Sequence, residues 1–222
     1  MQILFEDNHL IAVNKATSEI VQGDKTGDIS LVDKIKKYLK EKYNKPGEAF
    51  LGLIHRLDRP VSGVIIFAKT SKALSRMNLL FRDNKIEKIY WAIVTNPPPK
   101  DKDTLINFLL RNEKQNKTYI TSQQSKNSKE AKLEYILKSK QNGNYLLEIK
   151  LFTGRHHQIR SQLSAINCPI KGDIKYGADA PTPNASIFLH SRKISFQHPV
   201  SKEQICITAP TPQDMIWQLF NM

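Results

Sequence analysis

The sequence predicts an α+β fold, a mainly antiparallel mixed sheet with flanking helices. Three observations carry that reading. Short apolar runs come in pairs joined by turn residues, as in Ile3–Phe5 with Leu10–Val13, and 131–137 with 145–151. Three or four segments read as helices. The regular strand–helix alternation of a doubly wound parallel sheet is missing. The 222 residues suffice for a sizeable core. No internal repeat or composition break marks a second domain, so 1–222 reads as one domain.

The elements follow in order. Ile3-Leu4-Phe5 and Leu10-Ile-Ala-Val13 flank the turn Glu6-Asp-Asn-His9 and read as a hairpin. Ser30 starts a helix with Leu31, Ile35, Tyr38 and Leu39 on one side and Lys34, Lys36, Lys37, Lys40 and Lys42 on the other. Asn44-Lys-Pro-Gly47 ends it. Gly63–Ala68 is continuous enough in apolar residues to be a buried strand. Ser71 is expected to cap a second helix, with Leu74, Met77, Leu80 and Phe81 inward. Ile89–Val94 is a strand, and Pro97-Pro-Pro99 with Lys100-Asp-Lys-Asp103 is a stiff polar connection. Gln141-Asn-Gly-Asn144 carries the Asn-Gly of a tight hairpin. A helix is expected from about His156 to Ile166, with Ile159, Leu163 and Ile166 on its core face. Ile187–Leu189, Ile194–Phe196 and Gln204–Thr208 are late strands, and Pro212–Phe220 a closing helix.

Lys plus Arg is 34 and Asp plus Glu is 21, a net charge of +13. Such an excess raises affinity for phosphates whatever the fold, and points to a nucleic-acid partner. Cys168 and Cys206 lie far apart without a Cys-x-x-Cys pair, which fits a reducing compartment and argues against structural zinc. Met1-Gln-Ile-Leu-Phe runs directly into Glu6 and Asp7, unlike a secretory leader. No apolar run approaches the roughly 20 residues of a membrane span. A cytoplasmic location is therefore expected, with no membrane partner and nothing that calls for more than a monomer.

The chemistry concentrates in His55-Arg-Leu-Asp-Arg-Pro-Val-Ser-Gly63. Asp58 sits between Arg56 and Arg59, and opposite charges favour the ionised carboxylate. A fixed anion at the mouth of a sheet suits a nucleophile; the alternative is that Asp58 only bonds the amides of the Arg59–Gly63 turn and shapes it. Arg160, beside the core-facing Ile159, is expected half-buried and in need of a carboxylate, for which Asp58 is a candidate and any other acid an alternative. Arg155, His156 and His157 fall near the start of that helix, where its dipole favours anions. Adjacent helical histidines point about 100° apart and do not chelate one ion, so no metal is expected there. Tyr90 shares a strand face with the small Ala92, which would leave space for a base to stack; a core tyrosine is the plainer alternative. Residues 111–140 hold eight Lys or Arg against three Glu, and 31–45 hold six Lys, together forming a candidate phosphate groove. Neither G-x-x-x-x-G-K nor G-x-G-x-x-G occurs, which argues against nucleoside triphosphate or dinucleotide chemistry.

These residues, taken together, resemble the RluA-type pseudouridine synthases. The match runs through His55-Arg-Leu-Asp58, Ser62-Gly63 and the strand ending Ala68-Lys69, then Lys88-Ile-Tyr90-Trp-Ala92. It continues through Gly154-Arg155-His-His157-Gln-Ile-Arg160, Pro169-Ile-Lys-Gly-Asp173, Tyr176-Gly177, Leu189-His190 and Phe196-x-His198-Pro199, and opens at Glu6-Asp7 and Val13-Asn-Lys15. Three departures stand out: Ala16-Thr-Ser18 where the family has Pro and a nearby Gly, Val61 where Thr is common, and Ser161-Gln162 for the usual Val-His. The S4-type RNA-binding domain of many relatives has no counterpart in these residues.

The resemblance implies a pseudouridine synthase catalytic fold and an isomerase that turns a uridine of structured ribosomal or transfer RNA into pseudouridine, without cofactor or metal. It implies that Asp58 is the catalytic nucleophile, that Tyr90 packs against the extruded uracil, and that Arg160 pairs with Asp58. His55, Arg56, Arg59, Arg155, His157 and Ile159 would serve the substrate or RNA surface, with Arg56 filling the gap left by the flipped base. Two other readings stay open on the residues alone. A catalytically silent RNA-binding module would explain the charge but not the arginine-flanked acid. A nuclease or glycosidase would normally need metal-ligand clusters or paired acids.

Overall fold

The computed structural model describes residues 1–23, 27–44, 46–122 and 124–220; Lys45, one of the lysines expected in the first basic cluster, lies outside them. In chain order the elements are β1 (Gln2–Glu6), β2 (Leu10–Lys15), α1 (Leu31–Lys42), β3 (Gly52–Leu53), β4 (Ser62–Ala68), α2 (Ser71–Arg82) and β5 (Ile86–Val94). They continue with β6 (Lys102–Asn112), β7 (Lys117–Thr121), β8 (Lys129–Gln141), β9 (Asn144–Leu151), α3 (Gln158–Ala165), a 3-10 turn (Ile174–Tyr176), β10 (Leu189–Gln197), β11 (Gln204–Thr208) and α4 (Met215–Gln218). The fold is mainly antiparallel sheet with few helices, as the sequence predicts. The chain forms two compact units, Met1–Ile86 with Ser191–Thr211, and Glu87–His190 with Pro212–Met222.

In the first unit the strand order is β1-β2-β4-β10, with β3 on β4 and β11 on β10. The expected β1–β2 hairpin is present, and β2 pairs β4 from Leu10 opposite Ala68 to Lys15 opposite Gly63. Every residue of β4 is buried, which explains its unbroken apolar run. One face of these strands, including Leu10, Val64, Ile66, Ile194 and Phe196, packs with Ala73 and Met77 of α2. Thr70, one residue before the expected Ser71, caps α2 by accepting from the Ala73 amide. Ser30 caps α1 as expected, in a reciprocal capping box with Asp33. Among the stripe residues of α1, Leu31, Ile35 and Leu39 are buried, while Tyr38 turns its hydroxyl onto Glu6 of β1.

In the second unit the order is β5-β9-β8-β6-β7. β8 and β9 close through Asn142 and Gly143, both with positive φ, the geometry that an Asn-Gly turn provides. Two strands are not foreshadowed by the sequence pattern. β6 begins inside the expected polar connection, and β7 lies in the polar stretch 111–140. Both belong to a surface layer where only alternate residues turn inward, so polar side chains outnumber apolar ones and hide the period. Gln162 of α3, fully buried, donates its amide to Leu105 O, Asn107 Oδ1 and Ala131 O at 3.2, 2.8 and 3.3 Å. That side chain pins the helix to β6 and β8. Of the strand expected at Ile187–Leu189 only Leu189 is in a strand, where it opens β10, which also contains the expected Ile194–Phe196.

Candidate active site

Asp58 lies between β3 and β4 in the first unit, half-buried, next to the buried Leu57. Its carbonyl accepts the Val61 amide at 3.0 Å and closes a tight turn. The turn is held from beneath by Lys15, which is fully buried at the end of β2. Lys15 Nζ donates to the carbonyls of Ala16, Arg59 and Val61 at 3.0, 3.1 and 2.7 Å. Ser18, in the left-handed region at φ 69°, donates its amide to Arg59 O at 3.0 Å. The chain after Lys15 therefore makes its turn although the family's Pro and Gly are replaced. Burial lowers the Lys15 pKa to about 8, and the nearby carboxylates of Glu19 and Asp58 only partly offset that effect.

The residues around Asp58 divide in role. Arg56 is exposed. Arg59 is also exposed, and its Nη2 donates to Asp28 at 2.8 Å. Sequence adjacency thus does not make Arg59 a dedicated partner of Asp58. His55 was expected on the RNA side; its Nε2 accepts the Ile66 amide at 3.1 Å and its ring stacks on Phe81. One face and one nitrogen of that ring are committed to holding the motif on β4.

The second unit carries the other expected residues. Tyr90 on β5 faces Ile149 of β9 and is only 8% exposed, with Ala92 on the same face fully buried. Helix α3 starts at Gln158, two residues later than expected, because His157 takes a left-handed conformation at φ 50°. Gln158 Oε1 accepts from Thr153 Oγ1 at 2.7 Å and the Arg155 amide at 3.0 Å, tying the end of β9 to the helix. Arg155 is exposed and donates Nε to Glu130 O. Ile159 is buried, as its helical spacing predicted.

Arg160 is 6% exposed, more deeply placed than the half-buried position expected. Its Nε and Nη2 donate to the two carboxylate oxygens of Asp173 at 2.6 and 2.8 Å, a bidentate bond. Asp173 is 1% exposed and was not singled out from the sequence. Tyr176, also missed, lies with its ring 5.0 Å from the Arg160 Cζ. Both sat inside recognised motif stretches, Pro169–Asp173 and Tyr176-Gly177, but nothing in spacing said which arginine they serve. His156 and His157 stack at 3.7 Å between ring centroids, and His156 is bonded to Thr118 Oγ1 and Asn116 Oδ1. Among the described residues no cluster of three His, Cys, Asp or Glu is arranged to hold a metal, and no helix is long and apolar enough to cross a membrane.

The architecture is that of the RNA pseudouridylate synthases. The human RNA pseudouridylate synthase domain containing 4 superposes with a TM-score of 0.82 at 24% identity, over 99% of this chain and 92% of that one. The human domain containing 1 protein gives 0.72 at 20% identity over the same shares. At the level of sequence, the model of the RNA pseudouridylate synthase family matches residues 9–165. Ribosomal large subunit pseudouridine synthase C of Rickettsia bellii is 33% identical over 212 residues, 95% of this chain and 68% of that protein. The protein of the same description from Buchnera aphidicola is 34% identical over 215 residues, 94% and 66% of the two chains. An RNA pseudouridine synthase of Helicobacter pylori is 31% identical over 222 residues, 97% and 68%. The chain belongs to the RNA pseudouridylate synthase family and is an RNA pseudouridine synthase, an isomerase of uridine in RNA.

Proposed function

We propose that this enzyme isomerises a uridine of large-subunit ribosomal RNA and that Asp58 is its catalytic carboxylate. The observation that carries the assignment is the seating of the Asp58 turn. A buried lysine fixes three of the surrounding backbone carbonyls, the following strand is wholly buried, and Asp58 as a residue is only half-buried. A reacting group needs this combination of rigid support and access. The ribosomal target is supported by the descriptions of the relatives from Rickettsia and Buchnera.

The reaction breaks the bond between N1 and C1′, turns the uracil, joins C5 to C1′, loses the C5 proton and places a proton on N1. It is an isomerisation and consumes no co-substrate. Asp58, as an anion, adds to the base at C6 and leaves after the carbon–carbon bond has formed, or attacks or stabilises the sugar at C1′ and gives way as C5 bonds there. Tyr90 packs on the uracil, which must first leave its stack at a cost of a few kcal/mol. Arg160 pairs with the acid and aligns it, and Arg56 occupies the gap in the RNA. Arg59, Arg155 and His157 serve the RNA surface in the same scheme, His55 and Ile159 support it, and the lysines of α1 and of 111–140 hold phosphates. A cytoplasmic site of action and a monomeric form are part of the same proposal.

The test uses RNA tritiated at uridine C5. The wild-type protein should release tritium without shortening the RNA, and Asp58→Asn should bind RNA within about threefold of wild type while release drops by at least about a thousandfold. Release that survives loss of the carboxylate removes Asp58 from the mechanism. Shortened RNA would mean hydrolysis instead.

A further inference from the structure

Both groups that touch Arg160 in the second unit come from one short turn. Asp173 precedes the 3-10 turn Ile174–Tyr176 and gives its carboxylate to the guanidinium; Tyr176 ends the turn and lays its ring at 5.0 Å from the same guanidinium. Backbone bonds from Tyr176 N and Ala178 N to Asp173 O, at 2.9 and 3.1 Å, make the turn a single rigid piece. The Tyr176 hydroxyl is fixed twice. It accepts the Thr118 amide of β7 at 2.8 Å and lies 2.9 Å from His157 Nδ1. The hydroxyl and the imidazole share one hydrogen, whose direction follows the tautomer of His157.

His157 lies three residues before Arg160 on the same helix start. The turn therefore grips α3 at two points, through Asp173 on Arg160 and through Tyr176 on His157. A carboxylate alone would let the arginine side chain rock about the shared edge. The ring beside it and the anchored hydroxyl remove that freedom. At 4% exposure Tyr176 contacts no solvent of note, and burial raises its pKa, so it stays neutral. Its hydroxyl also occupies an outward amide on β7, the edge strand of this unit.

We propose that Tyr176 is a positioning residue for catalysis: its clamped hydroxyl holds its ring against Arg160 and so sets the direction in which the guanidinium acts. This rests on the reading of Arg160 given above. Nothing in it requires Tyr176 to touch RNA, so its loss should act on the chemical step and spare binding.

The experiment measures single-turnover tritium release, with enzyme in excess, from total RNA lacking the modification and tritiated at uridine C5. Affinity for the same RNA is measured alongside. Tyr176→Leu, which removes ring and hydroxyl, should lower the rate about 10- to 100-fold, and Tyr176→Phe, which keeps the ring, by less. Both should bind RNA within about twofold of wild type. In an Arg160→Lys background, which keeps the charge but gives up the fork, Tyr176→Leu should add little further loss. A wild-type rate for Tyr176→Phe and Tyr176→Leu overturns the proposal. So does a loss that appears in RNA affinity, or one of equal size in both arginine backgrounds, which would mark a merely structural tyrosine. Should Tyr176→Leu fail to fold, Tyr176→Phe carries the same test. If Arg160→Met releases tritium at the wild-type rate, the role given to Arg160 fails and this inference with it. If Arg160→Met is slow but the tyrosine variants are not, only this inference falls.

Discussion

Lys15 Nζ stands 2.7 Å from the carbonyl of Val61, inside the turn that carries Asp58. A charged lysine with no exposure is rare, and here three carbonyls replace its lost water. Replacing it by Met fills the space but leaves those carbonyls without a donor. Lys15→Met should destabilise the protein by about 1–3 kcal/mol and slow turnover more than it weakens RNA binding. Thermal melting and single-turnover rates check both.

The same lysine gives a pH signature. Its pKa is about 8 when folded, against 10.5 as the ordinary value. Between those values the unfolded chain holds the proton that the folded one has released, so stability rises with pH across that window. Denaturant titrations from pH 7 to 10.5 should show this upward component in wild type and its absence in Lys15→Met. Identical slopes would remove Lys15 as the cause.

Glu6 of β1 gives a rise of the same sign in the acid range, from a different cause. Burial disfavours its charge, but bonds from Lys42, Lys69, Tyr43 and Tyr38 outweigh burial and hold its pKa at about 2. Its contribution is complete above the unfolded value of 4.5 and is lost as pH falls toward 2. Glu6→Gln should cost about 1–2 kcal/mol near neutral pH, after allowance for screening at its partly open side, and the deficit should vanish by about pH 2. Unfolding midpoints of the two proteins in acid measure it.

Gly63 and Gly143 both have positive φ, at 113° and 71°. A Cβ on Gly63 would overlap the backbone carbonyl of Ser191 on β10, whereas one on Gly143 meets nothing within 4 Å. Gly143→Ala should cost about 1 kcal/mol, from conformation alone. Gly63→Ala adds a backbone collision just after the Asp58 turn and should lower the melting temperature far more, or prevent folding. Equal effects would show that strand β10 yields easily.

Lys126 and Lys129 are exposed at the approach to β8. If this stretch holds phosphates, Lys126→Ala with Lys129→Ala should weaken RNA binding and reduce the log–log salt slope by roughly 1.5. An unchanged slope would place the RNA elsewhere.

Much of the scaffold was legible because its signals are local. Ser30 with Asp33 caps α1, Asn142-Gly143 turns β8 into β9, and the apolar run of β4 announces a strand buried on both faces. β6 and β7 were not legible, since a half-exposed strand rich in polar residues looks like a loop when read alone. The environment of the site was harder still. Arg59 bonds Asp28, His55 accepts the Ile66 amide, and Asp173 grips Arg160, partnerships that no local pattern announces.

The sequence by itself determined the family, because motifs of fixed order, such as His55-Arg-Leu-Asp58, record the residue types that a family shares. Only the tertiary structure decided which side chains serve that acid and that arginine. Hydrogen bonds and charge pairs act over a few ångströms of space, and residues 15 and 61, or 160 and 176, become neighbours only once the sheet has brought their strands and turns together.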